Sequence, residues 1–599
     1  MDRDDLTSKQ LDYAVFLPAI SGFYATFIGK QRVDPNYVDP NRMPAAIGDM
    51  EELNWLNSQQ SLFPYKWSLY SGGHANLDLN KIDPSEDMVR DREAGTFMLG
   101  DSGGFQIAKG LWEGEWRDPT SVAVQSKLAQ LTAQGVEIRP VLTKAGKPKL
   151  DKNGHPKTVT IDPVKNYQKL LDAAQKKREL VLTWLDNISD YGMILDIPTW
   201  VIHDKKASKA CGITTLAEAV DATKFNNDYF MANRKGKNNG GAKYLNVLQG
   251  DTHSSADTWY HTMKDYCDPA IYPDTHFDGW AMGGQNMCDV HLVLMRLVAL
   301  RHDNLLQEGV HDWMHFLGTS KLEWAVLLTV IQRAVRKYVN PNFTISFDCA
   351  SPFLATANGQ VYHHVDLPHN KKWCYRMSPS IDDKKYATDT RMWRDVAMTD
   401  YVAHFKHFDE SPVSARCQVK DICIYNDGVR KTPAELNGVE FDVTNLDHYS
   451  VAPDVNKINK VGKTSWDSFS YALQMGHNVW THIHAVQEAN RRFDAGEYPK
   501  MLRRSTGDTV RFIDVVESIF ATSSRQESED IIKYYEYYWM EIIGTRGFKG
   551  KKVVNSRTSF DAHMEFADNS NDDSNNDGVS EDEIDFNQAN LDNLNLGLK

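Results

Sequence analysis

"MHFLGTSKLEWAVLLTVIQRAVRKYVNPNFTISFD", residues 314–348, holds a complete strand–helix–strand unit. "MHFL" (314–317) and "FTISF" (343–347) are short, apolar and β-prone. Between them "KLEWAVLLTVIQRAVRKYV" (321–339) places apolar residues at i, i+3, i+4 and i+7, the stripe of a helix packed on a sheet. Two strands joined through a helix are parallel. Four more strand-like runs precede this unit: "TFML" (96–99), "YGMIL" (191–195), "YLNVL" (244–248) and "FDGWAM" (277–282). A further helical pattern, "CDVHLVLMRLVALRHDNLLQ", fills 288–307.

Each strand gives way to a polar residue or to glycine. Asp101 comes after "TFMLG", Asp196 after "YGMIL" and Gln249 after "YLNVL". "FDGWAM" carries Gly279 and leads to Gly283-Gly284, "MHFL" leads to Gly318-Thr319-Ser320, and "FTISF" ends at Asp348. In a parallel barrel these positions share the C-terminal rim, where barrel enzymes build their sites. The predicted class is therefore α/β, a (β/α)8 barrel with insertions. An open doubly wound sheet also builds its site at carboxyl strand ends, and periodicity alone leaves both open.

The chain has 599 residues, 41% hydrophobic and 25% charged, with 15 Trp and 24 Phe, which suits a large aromatic-rich core. No apolar run reaches the roughly 20 residues that span a bilayer. "MDRDDLTSKQ" lacks the basic-then-apolar layout of a secretory signal, so a cytoplasmic protein with no membrane partner is expected. Seven cysteines in so long a chain are not a disulfide framework. Of the net charge of −14, residues 568–599 supply −8 through nine acids and one base, and that polar tail is expected to be disordered. Basic stretches at 144–157, 233–243 and 546–552 offer phosphate contacts, with Arg234, Lys235 and Lys237 as candidates.

Two rim carboxylates can divide the work of a retaining glycosyl transfer, one attacking the anomeric carbon and the other moving protons. "GDSGG" (100–104) also resembles the setting of a protease serine, Ser102. That reading needs a histidine base and a buried aspartate on another scaffold, and nothing in the surrounding sequence supplies them.

Seven motifs in order, "DSGGFQ" (101–106), "DIPT" (196–199), "VLQG" (247–250), "DGWAMGG" (278–284), "HFLGTS" (315–320), "FDCASP" (347–352) and "NGQVY" (358–362), resemble those of the tRNA-guanine transglycosylases. The resemblance covers roughly 95–365 and resumes from 415 to 495. It implies a (β/α)8 barrel that exchanges guanine for a 7-deazaguanine base, without a redox cofactor. Asp348 then corresponds to the nucleophile and Asp101 to the general acid/base. Asp196, Gln249 and the backbone of Gly279 would read the base edge, and Phe105 and Leu317 would line its two faces.

The resemblance further implies a structural zinc. Cys417, Cys423 and His477 match three ligands, with Asp421 or Cys374 as a fourth; the family's middle cysteine is missing. Other departures concern the substrate. The family's glutamate at the end of Gly-Gly-Leu-Ala-Val-Gly-Glu is Gly284 here, which favours a neutral substituent such as the 7-cyano group. The family's Pro-Thr-Arg after the nucleophile is Ser351-Pro352-Phe353. This pattern resembles the DNA guanine transglycosylases of bacteria and their phages (the DpdA-like branch), whose modified DNA would be shielded from restriction. A tRNA enzyme is the alternative, and a non-catalytic nucleic-acid-binding paralogue a third reading that the presence of both aspartates disfavours. Homodimerisation is left open.

The implied organisation is a barrel over 1–400 with insertions near 110–160 and 365–415. A zinc-binding-like subdomain over 401–500, helices over 501–567 and the tail would come after it.

Overall fold

The computed structural model describes residues 12–396, 411–426, 465–502 and 511–542, apart from 39, 142, 144–147, 153, 237–238, 251, 284–288 and 467. Eight parallel strands form one sheet: β1 (Val15–Pro18), β2 (Trp67–Ser71), β3 (Phe97–Asp101), β4 (Tyr191–Met193), β5 (Lys243–Leu248), β6 (Gly279–Met282), β7 (Trp313–Phe316) and β8 (Thr344–Cys349). Neighbours in space are neighbours in sequence, and β8 returns to β1 with Leu17 opposite Asp348. Between β1 and β2 the ring is joined by the Ala19–Leu69 bridge, where the Ile20 N–H donates to the Leu69 carbonyl at 2.9 Å. The sheet is thus a nearly closed TIM-like barrel, and an open doubly wound sheet does not describe it.

Six of the strands match the runs read from the sequence to within two residues or so at each end. β1 and β2 escaped that reading. "VFLP" is four residues long and ends in proline, and "WSLYS" is buried along its whole length, so neither shows the alternation of a half-exposed strand.

Successive side chains of a barrel strand alternate between interior and exterior. The first interior residues of β2, β3, β4 and β7 are Trp67, Phe97, Tyr191 and Trp313, and they stack into a plug at the N-terminal end. Phe97 and Trp313 are stacked at 4.6 Å, with Trp67 at 5.1 Å from Phe97 and Tyr191 at 5.4 Å from Trp313. The same period of two carries Ser71, Asp101 and Asp348 to the interior at the other end. The plug fills the N-terminal end of the barrel interior, so the rim carboxylates stand above packed rings at a pit closed from below and not in an open channel.

Helices Gly22–Val33, Leu216–Asn233, His253–Met263, Val290–His302 and Leu322–Tyr338 surround the sheet. Between β3 and β4 the chain inserts helix Val122–Gln134, an antiparallel strand pair (Glu137–Pro140 with Thr158–Ile161) and the 26-residue helix Pro163–Ile188. After β8 come helix Ser351–Ala357, the hairpin Gln360–Asp366/Cys374–Pro379 and the 27-residue helix Ser468–Asp494. Asn478 ties that helix to the barrel, accepting from Tyr362 N at 2.9 Å and donating to Pro352 O at 3.0 Å. Helices Phe512–Ala521 and Arg525–Tyr534 lie outside it, with Arg301 Nη1 donating to Phe520 O at 2.8 Å. Among the described residues no helix is long and apolar enough to cross a membrane. The acidic tail and the 546–552 basic stretch lie outside the described residues.

Candidate active site

Asp348 is the penultimate residue of β8. Its Oδ1 accepts from the Gly318 N–H at 2.9 Å and faces His315 Nε2 at 3.0 Å. Oδ2 has no donor among the described residues, so one oxygen is anchored while the other keeps its lone pairs uncommitted.

His315 is fully buried on β7. Its Nδ1 is 2.8 Å from Ser346 Oγ, which also accepts from the Trp313 indole N–H at 2.8 Å. An indole nitrogen only donates and a carboxylate oxygen only accepts, so Trp313 donates to Ser346 Oγ and His315 Nε2 donates to Asp348 Oδ1. A chain of hydrogen bonds therefore runs from the floor plug to Asp348. Ser346 and Asp348, like Trp313 and His315, are two residues apart and share the interior face.

Asp101 ends β3. The Ser71 hydroxyl of β2 donates to its Oδ2 at 2.6 Å, and the Gly103 N–H reaches Oδ1 at 3.4 Å. Burial pushes the Asp101 pKa up, the neighbouring charge of Asp348 adds to the rise, and the two hydrogen bonds oppose it. Gly103 adopts the left-handed conformation (φ 88°), which turns the chain from strand into helix Gly104–Ala108; a Cβ there would stand 2.5 Å from the Trp112 ring. A Cβ on Gly104 would stand 2.5 Å from the Asp196 carbonyl oxygen, so the second glycine permits the approach of β3 to the β4 loop.

Asp196 and Gln249 meet as the strand ends predict. Gln249 Nε2 donates to Asp196 Oδ2 at 2.7 Å, and both are buried. Burial raises Asp196 to about 7, with the Asp101 charge contributing and the Gln249 hydrogen bond opposing. Phe105 is half-buried, 5.9 Å from the Trp200 ring, with Lys109 Nζ over both at 5.4 and 5.1 Å. Leu317 is half-buried next to Gly318. Ser102 is buried, and its hydroxyl donates to the Ile194 carbonyl at 2.8 Å; it holds β3 to β4.

Three groups of sequence-predicted residues lie elsewhere. Gly279 opens β6, opposite Leu245 and Trp313, about 13 Å along the strand from the rim. A Cβ there would collide with the Trp313 carbonyl oxygen at 2.3 Å, so its glycine serves strand packing; the rim glycine against the Gln249 amide is Gly283.

Arg234 and Lys235 come after helix Leu216–Asn233 and precede β5, which puts them at the N-terminal end of the barrel, opposite the carboxylates. The Arg234 guanidinium is buried, paired with Asp278 at 3.2 Å and stacked on Tyr244 at 4.6 Å, so it is a structural cation and not a phosphate contact. Lys235 is exposed at that far end, and Lys237 lies outside the described residues.

Among the described residues no three His, Cys, Asp or Glu side chains converge as a metal site. Cys417, Cys423 and His477 do not fit a zinc centre. His477 Nε2 donates to Tyr362 O at 2.7 Å, and Cys423 Sγ faces the Asp383 carbonyl at 3.7 Å. Of the possible fourth ligands, Asp421 accepts from Gln418 N at 2.7 Å and Cys374 is buried in the hairpin. The link that zinc would make is made by hydrogen bonds: Ser470 Oγ donates to Asp421 O at 2.8 Å, and Gln474 Nε2 to Ile422 O at 2.6 Å.

Ser71, His315, Ser346 and Trp313 were not singled out from the sequence. His315 and Ser346 were reachable, since each lies two or three residues from a named rim residue on a recognised strand. Ser71 required β2 to be recognised first.

No protein-family model matches the chain, and no curated protein matches it. The arrangement of side chains therefore carries the functional reading.

Proposed function

We propose that this chain is a base-exchange enzyme of the tRNA-guanine transglycosylase superfamily that acts on DNA, replacing guanine by a 7-deazaguanine base, with the 7-cyano base the favoured substrate. One observation carries the reading: two interior carboxylates, Asp101 and Asp348, lie within each other's field at the carboxyl ends of β3 and β8, Asp101 engaged at both oxygens and Asp348 at one. The seven motifs support the choice of guanine exchange among glycosyl transfers.

In the first half-reaction Asp348 Oδ2 attacks C1′ of the nucleotide. The C1′–N bond breaks with its electron pair going to the departing guanine, which takes a proton from Asp101. In the second, Asp101 accepts the proton of the incoming base, whose nitrogen attacks C1′ and returns the electron pair to Asp348. Two inversions retain the configuration. Asp101 fits the proton-transfer role because burial raises its pKa. Asp348 fits attack because His315 and Gly318 fix one oxygen and leave the other uncommitted.

The Asp196–Gln249 pair offers a carboxyl and an amide to the polar edge of the base, and Phe105 offers a ring face. On duplex DNA the guanine must be extruded, at a cost of a few kcal/mol. Loss of label from guanine-labelled DNA on incubation with the protein and 7-cyano-7-deazaguanine tests the reading; release from tRNA and not DNA overturns the choice of substrate.

A further inference from the structure

The helix Pro163–Ile188 is much longer than the barrel is tall. It passes the rim at Arg178, whose Nε donates to Asn226 Oδ1 at 2.7 Å, while Asn226 Nδ2 donates at 2.6 Å to the carbonyl of Leu195, the residue before Asp196. Residues 163–177 therefore continue past the rim for about 22 Å at 1.5 Å per residue. This overhang is braced. Tyr167 donates to Glu115 Oε2 at 2.7 Å, and Arg117 grips Glu115 through two contacts of 2.8 Å and Glu218 through one of 2.9 Å. Val124, Tyr167 and Leu171 form a small hydrophobic cluster of their own, apart from the barrel core.

At the end of the overhang stands the pair Glu137–Pro140/Thr158–Ile161, with Ile138 opposite Thr160 and Arg139 opposite Val159. The ribbon continues through Val141 N to Lys157 O (2.8 Å) and Lys157 N to Lys149 O (2.7 Å), and closes at the Leu150–Pro156 bridge. Both faces meet solvent: Ile138 is 66% exposed, Leu150 54% and Val159 47%. An isolated ribbon that buries so little gains little stability from its own exposure. Lys149, Lys152 and Lys157 are exposed and, among the described residues, in no ion pair, whereas Arg139 is paired with Glu137 at 2.6 Å. Six Lys or Arg against two Asp or Glu give residues 136–161 a charge of +4, in a chain of −14.

We propose that this ribbon is a clamp for duplex DNA, lying in the major groove beside the pit with Lys149, Lys152 and Lys157 on backbone phosphates. The proposal rests on the base-exchange reading and adds to it the form of the substrate. A major groove about 12 Å wide admits a two-stranded ribbon. The deep, narrow major groove of A-form RNA does not. The insertion leaves the barrel after the strand that ends at Asp101, so a duplex held by a ribbon about 22 Å beyond the rim would lie across the barrel mouth on the Asp101 side.

The test uses the full-length protein and the triple variant Lys149→Gln/Lys152→Gln/Lys157→Gln, all three side chains being in solvent. Fluorescence anisotropy gives Kd for a 20-base-pair DNA duplex and for an RNA duplex of the same sequence over a range of salt, alongside sedimentation of each protein alone. The wild type is expected to favour the DNA duplex. The variant is expected to lose about 2 to 3 from the slope of log K against log salt, at about 0.9 per phosphate. An unchanged slope, an equal loss on the RNA duplex, or a change of oligomeric state without loss of DNA binding each overturns the clamp. If the clamp result holds but guanine is not exchanged, the base-exchange reading fails alone. If guanine is exchanged and the slope is unchanged, the clamp fails alone.

Discussion

His315 Nε2 lies 3.0 Å from Asp348 Oδ1, on the adjacent strand and fully buried beneath the carboxylate. The Ser346 and Trp313 hydrogen bonds fix its ring from the other side, so the imidazole positions the nucleophile without itself reaching the substrate. His315→Ala is expected to lower single-turnover exchange on the order of 100-fold, the size of loss that a misplacement of about 1 Å produces. The KM for the free base should stay near wild type, because His315 touches neither Asp196 nor Gln249. A gain in KM with kcat preserved would show that the histidine serves binding instead.

Asp196 gives a stability signature that needs no substrate. Its pKa rises to about 7 in the folded chain, from the ordinary carboxylate value of about 4 when unfolded. The neutral form is the one the fold prefers, so this contribution is fully present below about pH 4 and is lost as pH rises to about 7. Asp196→Asn removes the titration. Above pH 7 the variant should be the more stable by up to about 4 kcal/mol, from three units at 1.36 kcal/mol each, relative to its difference at pH 4. Urea melts of both proteins from pH 4 to 8.5 read the difference directly; parallel curves would place Asp196 in a wetter site.

Ser102 separates glycosyl transfer from acyl transfer. Its hydroxyl is committed to the Ile194 carbonyl, and the neighbouring aspartate faces the pit. Ser102→Ala should cost about 0.5–1.5 kcal/mol, because one hydrogen bond is lost while the Ile194 carbonyl keeps the Asp196 N–H at 3.1 Å. Exchange should persist in the variant. Its disappearance in a protein that still melts cooperatively would restore the serine as a candidate.

The segment around Cys417 and Cys423 is held by Ser470 and Gln474, and among the described residues no three ligand side chains converge there. A chelator should therefore leave the melting temperature unchanged, while Gln474→Ala should lower stability by about 1–3 kcal/mol through the unpaired Ile422 carbonyl. Stoichiometric zinc in the purified protein, lost together with stability on chelation, would contradict this.

Much of the site was legible because a barrel converts local pattern into position. Once "FTISF" and "TFML" are strands of one parallel sheet, the acids after them must share a rim. Asp196 meeting Gln249 obeys the same logic across β4 and β5. What the reading passed over was which end a loop occupies. Arg234 and Lys235 belong to a basic stretch, but they lead into a strand and so lie at the floor, where Arg234 is consumed by Asp278, 44 positions away. Gly279 failed for a related reason: the motif named the strand, and only the register shows that its first glycine is at the wrong end. The cysteine and histidine spacing does not bring three ligands together among the described residues; the side-chain amides and hydroxyls that cross-link the loop there carry no spacing signature.

The most direct measurement of the central claim is covalent trapping. The protein is incubated with DNA in the absence of an incoming base, denatured, digested and probed by mass spectrometry for a peptide carrying a sugar adduct. The adduct is expected on the peptide containing Asp348, present with wild type and absent from Asp348→Ala. Exchange that survives Asp348→Ala, or an adduct on a different residue, would contradict the account.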